Sequence, residues 1–345
     1  MRVLVTGHKG YIGSVMVPLL IDAGHEVVGL DTGLYEACSF GDRRHQVAGV
    51  RLDIRNVEPH HLEGFEAVVH LAALSNDPLG DLNAQLTYDI NHLASVRLAR
   101  AAREAGAERF LFASSCSLYG ASGTGTPLTE DAPFNPVTPY GESKILVEQD
   151  VTQLATPEFS PVFFRNATAY GVSPHLRVDI MVNNLVGYAV TTGQVLIKSD
   201  GSPWRPLVHV EDICRAFLAT LEADRVRTHN QAFNVGITEE NFRVREVAEM
   251  VEAVTGCQAS FAEGASADAR DYRVDFGRIQ QVLPEFQPRW TVQKGVEELY
   301  EAYRRYDLTP DEFLGGRYVR LNEIKRLQSE GRLDDELRWT GANDG

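Results

Sequence analysis

The sequence is poor in cysteine and in positive charge. Its four cysteines lie far apart in 345 residues, without the spacing of metal ligands, which predicts free thiols in a reducing cytosol and no bound metal. They are Cys38, Cys116, Cys214 and Cys257. Lysines and arginines number 33 against 48 acidic residues, so the formal net charge is −15. This acidity, without a basic run, argues against nucleic acid or an anionic membrane as the main partner.

Long apolar runs are also absent. No stretch approaches the roughly 20 apolar residues of a membrane span, and a first strand that starts at Arg2 leaves no room for a signal peptide. We therefore expect a cytoplasmic protein that does not act on a membrane. A length of 345 residues and a hydrophobic content of 43% predict one large α/β unit with a smaller lobe.

A glycine-rich loop near the start predicts a phosphate site. Residues 2–6 resemble a short buried strand, and the apolar periodicity of residues 15–20 is typical of a helix. The G-x-x-G-x-x-G spacing between them lets the backbone approach a pyrophosphate, whose charge the helix N-terminus favours. A simple tight turn is the alternative. The predicted cofactor contacts in this loop are Gly7, Gly10, Tyr11, Ile12 and Gly13.

Asp31 indicates which dinucleotide is bound. It follows the second predicted strand, residues 25–30, where a carboxylate hydrogen-bonds a ribose diol and repels a 2′-phosphate. We therefore predict NAD rather than NADP. Two alternatives stay open: Asp31 is only a turn residue, or Lys9, Arg43 and Arg44 accept a phosphate.

Further strands alternate with helices. The pattern predicts strands at residues 50–52, 67–71 and 109–113, with helices near 59–63 and from 82 to 105. This alternation is typical of an α/β fold, a Rossmann-type doubly wound parallel sheet that binds its ligand at the carboxyl ends of the strands. Residues 120–139, rich in Gly, Ser, Thr and Pro, are expected to form a long loop. Other predicted cofactor contacts directly follow the strands: Asp53, Ile54, Leu71, Ala72 and Ala73.

Tyr140 and Lys144 carry the predicted chemistry. Residues four apart on a helix share a face, and of the 12 tyrosines only Tyr140 has a lysine four residues on. A tyrosine is a poor base near neutral pH until a nearby ammonium stabilises its phenolate. We predict Tyr140 as the catalytic base, Lys144 as the stabilising cation, and Ser115 as the hydroxyl that bonds the reacting oxygen.

Together these motifs resemble those of the extended short-chain dehydrogenase/reductase superfamily. Within it, the chain is similar to nucleotide-sugar epimerases and dehydratases, such as UDP-glucose 4-epimerase-like enzymes, as far as about residue 315. The resemblance implies a nucleotide-diphosphate sugar substrate, NAD as cofactor and a homodimer built on helices near 82–105 and 138–155. It assigns Asn91 to the cofactor, and Thr168 stands where the family usually has Asn. The implied substrate contacts are Ser115, Thr168, Asn184, Arg205 and Arg270.

The resemblance also implies a division of the chain. Residues 1–170 form the NAD-binding domain, to which a strand and helix near 208–236 return. Residues 171–207 and 237–315 form a smaller, discontinuous α/β substrate lobe. The remaining residues, 316–345, have apolar positions one helical turn apart, which predicts an amphipathic helical tail packed on its own chain or, less favoured, on a partner.

Four functions are considered for these residues. The leading hypothesis is a 4-epimerase, which oxidises a sugar carbinol with NAD and returns the hydride to the opposite face. A 4,6-dehydratase is less favoured, because Cys116 and Ser117 stand where that branch places carboxyl acids. Cys116 is interpreted as a buried thiol, with a role in the chemistry as the alternative. A keto-sugar-nucleotide reductase, which needs the same three catalytic residues, and a non-catalytic NAD-sensing protein are the remaining alternatives.

Overall fold

The strands form one large parallel sheet and three small sheets. The computed structural model describes residues 1–41, 47–75, 83–266, 270–315 and 317–341. The strands are β1 Arg2–Thr6, β2 Glu26–Asp31, β3 Gly49–Arg51, β4 Ala67–His70, β5 Arg109–Ser115, β6 Gly123–Leu128, β7 Ser160–Asn166, β8 Thr168–Tyr170, β9 Gln194–Ser199, β10 Trp204–His209, β11 Gln231–Val235, β12 Asn241–Arg243, β13 Gln258–Ser266 and β14 Tyr272–Val274. Seven of them form the large sheet in the order β11-β7-β5-β4-β1-β2-β3, with every pair parallel. This confirms the predicted doubly wound α/β class.

Helices connect the strands and cover the sheet. They are α1 Gly13–Asp22, α2 Ala84–Thr87, α3 Ala94–Glu104, α4 Pro139–Thr152, α5 Met181–Thr192, α6 Val210–Glu222, α7 Arg225–Thr228, α8 Val244–Thr255, α9 Gly277–Val282, α10 Val292–Arg305, α11 Pro310–Leu314 and α12 Arg320–Ser329. Short 3-10 turns lie at Ile54–Asn56, Pro59–Leu62, Cys116–Tyr119 and Thr238–Glu240. A π-helical segment, Tyr88–Leu93, joins α2 to α3.

The large sheet is buried on both faces. All residues of β4 and β7 are buried, as expected for parallel strands that carry helices on both sides. On one face Phe164 of β7 stacks on Phe217 of α6, with ring centroids 4.0 Å apart. On the other face Phe110 and Phe112 of β5 are buried in a cluster with α3 and α4. The continuous apolar character of these strands therefore reflects their double burial.

A separate cluster, the second core, lies outside the large sheet. It joins α5, α8 and α10, whose Val182, Val247 and Val296 are fully buried in one cluster. Here β9 pairs with β13 in parallel. The chain enters this region after β8 and again after β11, so the two parts of the molecule are built from separated segments.

Two predicted elements differ from the structure. The expected loop at 120–139 contains β6, which pairs in parallel with β14 nearly 150 residues later. Sequence patterns do not reveal such a distant partner. The helix expected from 82 to 105 is described only from Ala84, and the π-helical segment interrupts it before α3. Leu82 lies outside the described residues.

The tail packs on its own chain, as predicted. Ile324 and Leu327 of α12 are 1% exposed, and Leu333 beyond it is 3% exposed. They share one cluster with Leu74 and Leu86 of the large sheet's connections. This packing places the tail beside the carboxyl ends of the strands.

The described parts of the chain contain neither a membrane-spanning helix nor a cluster of metal ligands. Within them no helix combines the length and apolarity needed to cross a bilayer. The same residues contain no group of three or more histidines, cysteines, aspartates or glutamates that could hold a metal ion.

Candidate active site

A cavity of about 830 Å³ opens at the carboxyl ends of the large sheet's strands. Its walls come from the glycine loop, the ends of β2, β4 and β5, the start of α4, and residues of the second core and the tail. All of the predicted site residues except Asn91 line it. The sequence therefore identified one contiguous site.

The glycine loop is shaped for close approach of a ligand. Gly7 has φ of 71°, and a Cβ there would lie 2.8 Å from the backbone nitrogen of Ala72. A Cβ on Gly13 would lie 2.2 Å from the carbonyl oxygen of Gly7. Because only glycine fits at both positions, the loop stays tight under the start of α1, whose N-terminus no side chain caps. This arrangement fits a pyrophosphate at the helix N-terminus.

Asp31 acts in the turn and also faces the cavity. Its carboxylate accepts backbone N–H bonds from Lys9, at 3.0 Å, and Gly33, at 2.8 Å. The ammonium of Lys9 pairs with Glu36, so this charge is already neutralised. Arg43 and Arg44, the other candidate phosphate ligands, lie outside the described residues. The two interpretations of Asp31 are therefore compatible, since the turn fixes a carboxylate at the ribose position.

The other predicted cofactor contacts fall into two groups. Asp53 and Ile54 line the cavity next to Asp31, and Leu71, Ala72 and Ala73 line it after β4. Asn91 is instead fully buried in the π-helical segment, and its side-chain amide binds both backbone polar groups of Leu74, at 2.8 and 3.0 Å. Its amide therefore holds the backbone of Leu74, which lines the cavity, whereas Asn91 itself does not line it. The cofactor role of Asn91 stays a prediction.

The three predicted catalytic side chains meet in this cavity. Ser115 ends β5, while Tyr140 and Lys144 lie on α4, which Thr138 caps and Pro139 begins. The ammonium of Lys144 is 5.5 Å from the centre of the Tyr140 ring. Ser115 donates a hydrogen bond to the Ser117 hydroxyl at 3.0 Å. The arrangement offers a phenol, a nearby cation and a hydroxyl to one reacting oxygen.

Burial changes the acid–base behaviour of Lys144. The side chain is 3% exposed, donates to the Ala113 carbonyl at 2.8 Å and lies 4.5 Å above the Phe112 ring. Burial lowers the pKa of Lys144 to about 7, although the Glu148 carboxylate opposes this shift. The Lys144 amine therefore titrates near neutral pH.

Burial disfavours a chemical role for the Cys116 thiol. The residue is 1% exposed and its thiol contacts the Arg165 carbonyl at 3.1 Å. Burial raises the pKa of the Cys116 thiol, which disfavours the reactive thiolate. The neighbouring Ser117 hydroxyl, by contrast, lines the cavity. The buried-thiol interpretation agrees with this geometry.

The predicted substrate residues line the same cavity. Thr168, Asn184, Arg205 and Arg270 all line it. Asn184 donates to the Val178 carbonyl at 2.7 Å, and Arg205 donates to the Trp204 carbonyl at 2.8 Å and to the Arg270 carbonyl. Two arginines from distant segments are therefore held side by side.

Sequence reasoning missed several residues of the cavity wall. Arg177 is held there by Asp179, whose two oxygens accept from its guanidinium at 3.0 and 2.6 Å. The signal for this pair was an arginine and an aspartate two residues apart in the second half of the chain. Other lining residues that the sequence analysis did not assign include Ser117, Asn166, Lys198, Arg320 and Leu337.

Comparison with known proteins identifies the family. A family model described as the NAD dependent epimerase/dehydratase family matches residues 3–236. The chain belongs to this family. UDP-glucose 4-epimerase of Mycolicibacterium smegmatis is 30% identical over 325 residues, covering 88% of this chain and 99% of the relative.

Solved structures of other family members show the same architecture. MoeE5, solved in complex with UDP-glucuronic acid and NAD, is 30% identical with a TM-score of 0.76, covering 88% of this chain and 99% of that one. DesIV, a dTDP-glucose 4,6-dehydratase from Streptomyces venezuelae solved with NAD, is 25% identical with a TM-score of 0.76, covering 88% and 97%. The predicted superfamily, fold and NAD dependence are confirmed.

The residues present fit NAD. The tight glycine loop leaves no room for a side chain where a pyrophosphate approaches, and the Asp31 carboxylate stands at the ribose position. Two buried polar atoms of the cavity wall, Asn166 Oδ1 and Arg320 Nη1, have no hydrogen-bond partner among the described residues. Buried polar groups are normally paired, so a bound ligand is the expected source of their partners.

We predict that NAD binds at least about tenfold more tightly than NADP, because a charged hydrogen bond to the ribose is replaced by repulsion of a 2′-phosphate. Asp31→Asn should reduce this preference by about tenfold. Glu26→Gln is the matched control, since it removes an exposed carboxylate from the opposite end of the same strand. Titrations of both cofactors measure the ratio, and equal affinities in the unsubstituted protein would contradict the prediction.

The buried amine predicts a pH-dependent stability. The pKa of Lys144 is about 7 in the folded state and about 10.5 when unfolded. Between these values the unfolded state binds the extra proton, so stability rises with pH, and below pH 7 the folded protein bears the full cost of a buried charge. Lys144→Met should therefore be more stable than the original protein at pH 6.5, with an advantage that shrinks by about 2 kcal/mol by pH 9.

Urea unfolding of the cofactor-free proteins at the two pH values measures this difference. Lys294→Met is the control, because Lys294 is exposed on α10 and its removal should produce no such pH dependence. A stability advantage of Lys144→Met that stays constant from pH 6.5 to 9 is incompatible with this account.

Proposed function

We propose that the protein is an NAD-dependent 4-epimerase of a nucleotide-diphosphate hexose or of the corresponding uronic acid. The observation that supports it is one cavity that contains Ser115, Tyr140 and Lys144 together with Arg205 and Arg270. The first group suits oxidation of a carbinol, and the second suits a diphosphate. The names of the compared 4-epimerases agree with this combination.

Tyr140 acts as the base and then as the acid. Its phenolate accepts the proton of the sugar C4 hydroxyl as the C4–H bond breaks, and it returns the proton to the C4 oxygen at the end. When bound, NAD would be held by the glycine loop and Asp31 and would supply the hydride chemistry at C4. Epimerisation requires that the keto sugar presents its other face before the hydride returns, so no oxidant or reductant is consumed.

Ser115 and Lys144 support this proton transfer. The Ser115 hydroxyl donates to the C4 oxygen in place of its present bond to Ser117. The Lys144 ammonium stabilises the phenolate across the 5.5 Å that separates it from the ring centre. Because α4 carries both Tyr140 and Lys144, their spacing is fixed by the helix itself.

Arg205 and Arg270 hold the diphosphate. A guanidinium presents a planar pair of donors that matches two phosphate oxygens. Arg205 is 7% exposed and is oriented by the Trp204 and Arg270 carbonyls, so little freedom is lost on binding. Lys198 adds a third positive charge to the same wall.

The geometry favours epimerisation over dehydration. Loss of water from the sugar needs an acid that protonates the leaving hydroxide. The position after Ser115 holds a buried thiol, and the next holds a hydroxyl. The nearby carboxylate of Asp179 accepts two hydrogen bonds from Arg177 and is therefore engaged as an ion-pair partner.

Incubation with UDP-, dTDP-, GDP- and CDP-sugars tests the proposal. The panel should include UDP-glucose and UDP-glucuronic acid, with chromatography of the sugar products and absorbance of reduced cofactor as readouts. We expect a C4 epimer without net NADH. Consumption of added NADH or NADPH with a keto sugar would favour a reductase, loss of water a dehydratase, and binding without turnover an NAD-sensing protein.

Tyr140→Phe should lose at least about 99% of turnover, since general acid–base catalysis contributes about a hundredfold or more. NAD affinity and thermal stability should change little, because only the phenol oxygen is removed. Tyr188→Phe is a suitable control, since that phenol packs against Phe313 in the second core and serves no predicted step. Nearly full activity of Tyr140→Phe would show that another group is the base.

We further propose a cytoplasmic homodimer. Free cysteines at all four positions suit a reducing compartment. Within one chain, the two segments expected at the dimer interface are joined by the Tyr88–Glu142 and His92–Asp150 hydrogen bonds. Leu93, next to His92, is 52% exposed. Light scattering at micromolar concentration should give twice the chain mass, and a monomer mass would exclude the dimer.

A further inference from the structure

The C-terminal tail reaches the cofactor cavity with two side chains. Arg320 begins α12, and Leu337 lies in the turn that follows this helix; both line the cavity. The compared relatives are covered over 97 to 99% of their length but cover only 88% of this chain. The tail also lies beyond residue 236, where the family model ends.

Arg320 has an unfilled donor. The side chain is 4% exposed, its Nη2 donates to the His175 carbonyl at 3.0 Å, and its guanidinium lies 4.3 Å over the Tyr35 ring. Nη1 is buried and has no partner within the described residues. A buried cation with an open donor is costly unless a ligand supplies the acceptor. In this cavity the pyrophosphate of NAD is the anion that a guanidinium fits.

Leu337 is held in an uncommon backbone conformation. Its φ is 57°, in the left-handed region that costs a non-glycine residue about 1–2 kcal/mol. The side chain is nevertheless 6% exposed and belongs to the same cluster as Ile324 and Leu327. The turn that contains it is closed by a bridge between Leu333 and Trp339. Backbone strain that surrounding contacts maintain is typical of functional positions.

The turn is fastened to the adenosine end of the cavity. The Trp339 indole donates to the Thr32 carbonyl at 2.8 Å, and the Arg51 guanidinium lies 4.6 Å over the Trp339 ring. Arg55 donates to the Glu336 carbonyl at 2.8 Å. Thr32 directly follows β2, Arg51 ends β3, and Arg55 lies in the 3-10 turn after β3. Asp31, the residue assigned to the ribose, ends β2. These contacts position Leu337 against the adenosine half of the site.

We propose that the tail completes the NAD site: Arg320 binds the pyrophosphate, and Leu337 packs on the adenosine half. The turn from Leu333 to Trp339 then closes over the cofactor. NAD leaves only when this turn separates from Thr32, Arg51 and Arg55, so dissociation is slow. The inference uses the NAD dependence of the family and is independent of the sugar on which the enzyme acts.

Arg320→Gln tests the phosphate contact. Removal of a charged hydrogen bond should weaken the binding of NAD and of ADP-ribose about tenfold to a hundredfold. Adenosine, which has no phosphate, should bind as before. Arg326→Gln is the matched control, since Arg326 lies exposed on the same helix and pairs with the buried Glu323 and the exposed Glu330.

Leu337→Gly tests the adenosine contact. Glycine accepts the positive φ, so the turn is relieved of strain while the apolar side chain is lost. NAD release, followed after rapid dilution, should accelerate at least about tenfold, and adenosine binding should weaken. Leu327→Ala is the control, because Leu327 is buried in the same cluster but lies on α12, outside both the turn and the cavity lining.

The outcomes separate the tail contacts from general destabilisation. Urea unfolding of each variant identifies losses that come from the fold alone. The proposal is overturned if Arg320→Gln binds NAD as tightly as Arg326→Gln, or if Leu327→Ala releases NAD as fast as Leu337→Gly. None of these measurements uses a sugar, so an inactive sugar panel and a failed tail assignment are distinguishable results.

Discussion

A lysine ammonium buried under the catalytic helix constrains the structure around it. Lys144 is on the inner face of α4, and its one-turn neighbour Glu148 is buried as well. Glu148 pairs with Arg165 of β7 at 2.8 Å and accepts from Ser114 of β5 at 2.5 Å. Buried charges destabilise a protein unless they are paired and hydrogen-bonded. The position of α4, and with it Tyr140, is therefore set by strands whose side chains neutralise and bind these groups.

The sequence predicted the half of the site that local patterns encode. Gly7, Gly10 and Gly13 occupy positions where a turn and a close approach leave no alternative, and Asp31 ends a strand, so both signals are read over a few residues. Asn91 was assigned through resemblance alone, and the structure uses its amide to hold the Leu74 backbone. The pairing of β6 with β14 escaped prediction because nearly 150 residues of chain separate the two strands.

Two of the residues that sequence reasoning missed share one property. Arg320 and Leu337 contact groups nearly 150 or more residues away, so no spacing or periodicity connects them to the cavity. The positive charge of Arg320 is nevertheless what an acidic protein needs in order to bind diphosphates. A chain of net charge −15 must gather positive side chains locally. Arg205, Arg270, Lys198 and Arg320 do so around the one cavity.

The late edge strand has a consequence for biosynthesis. β11 pairs with β7, whose residues are all buried in the finished sheet, yet about 65 residues of chain separate the two strands. At about 5–20 residues per second a ribosome needs several seconds to deliver that segment. During this interval β7 presents an unpaired apolar edge, the kind of surface that aggregates with other chains. Chaperone protection of the nascent chain therefore matters most between the emergence of β7 and that of β11.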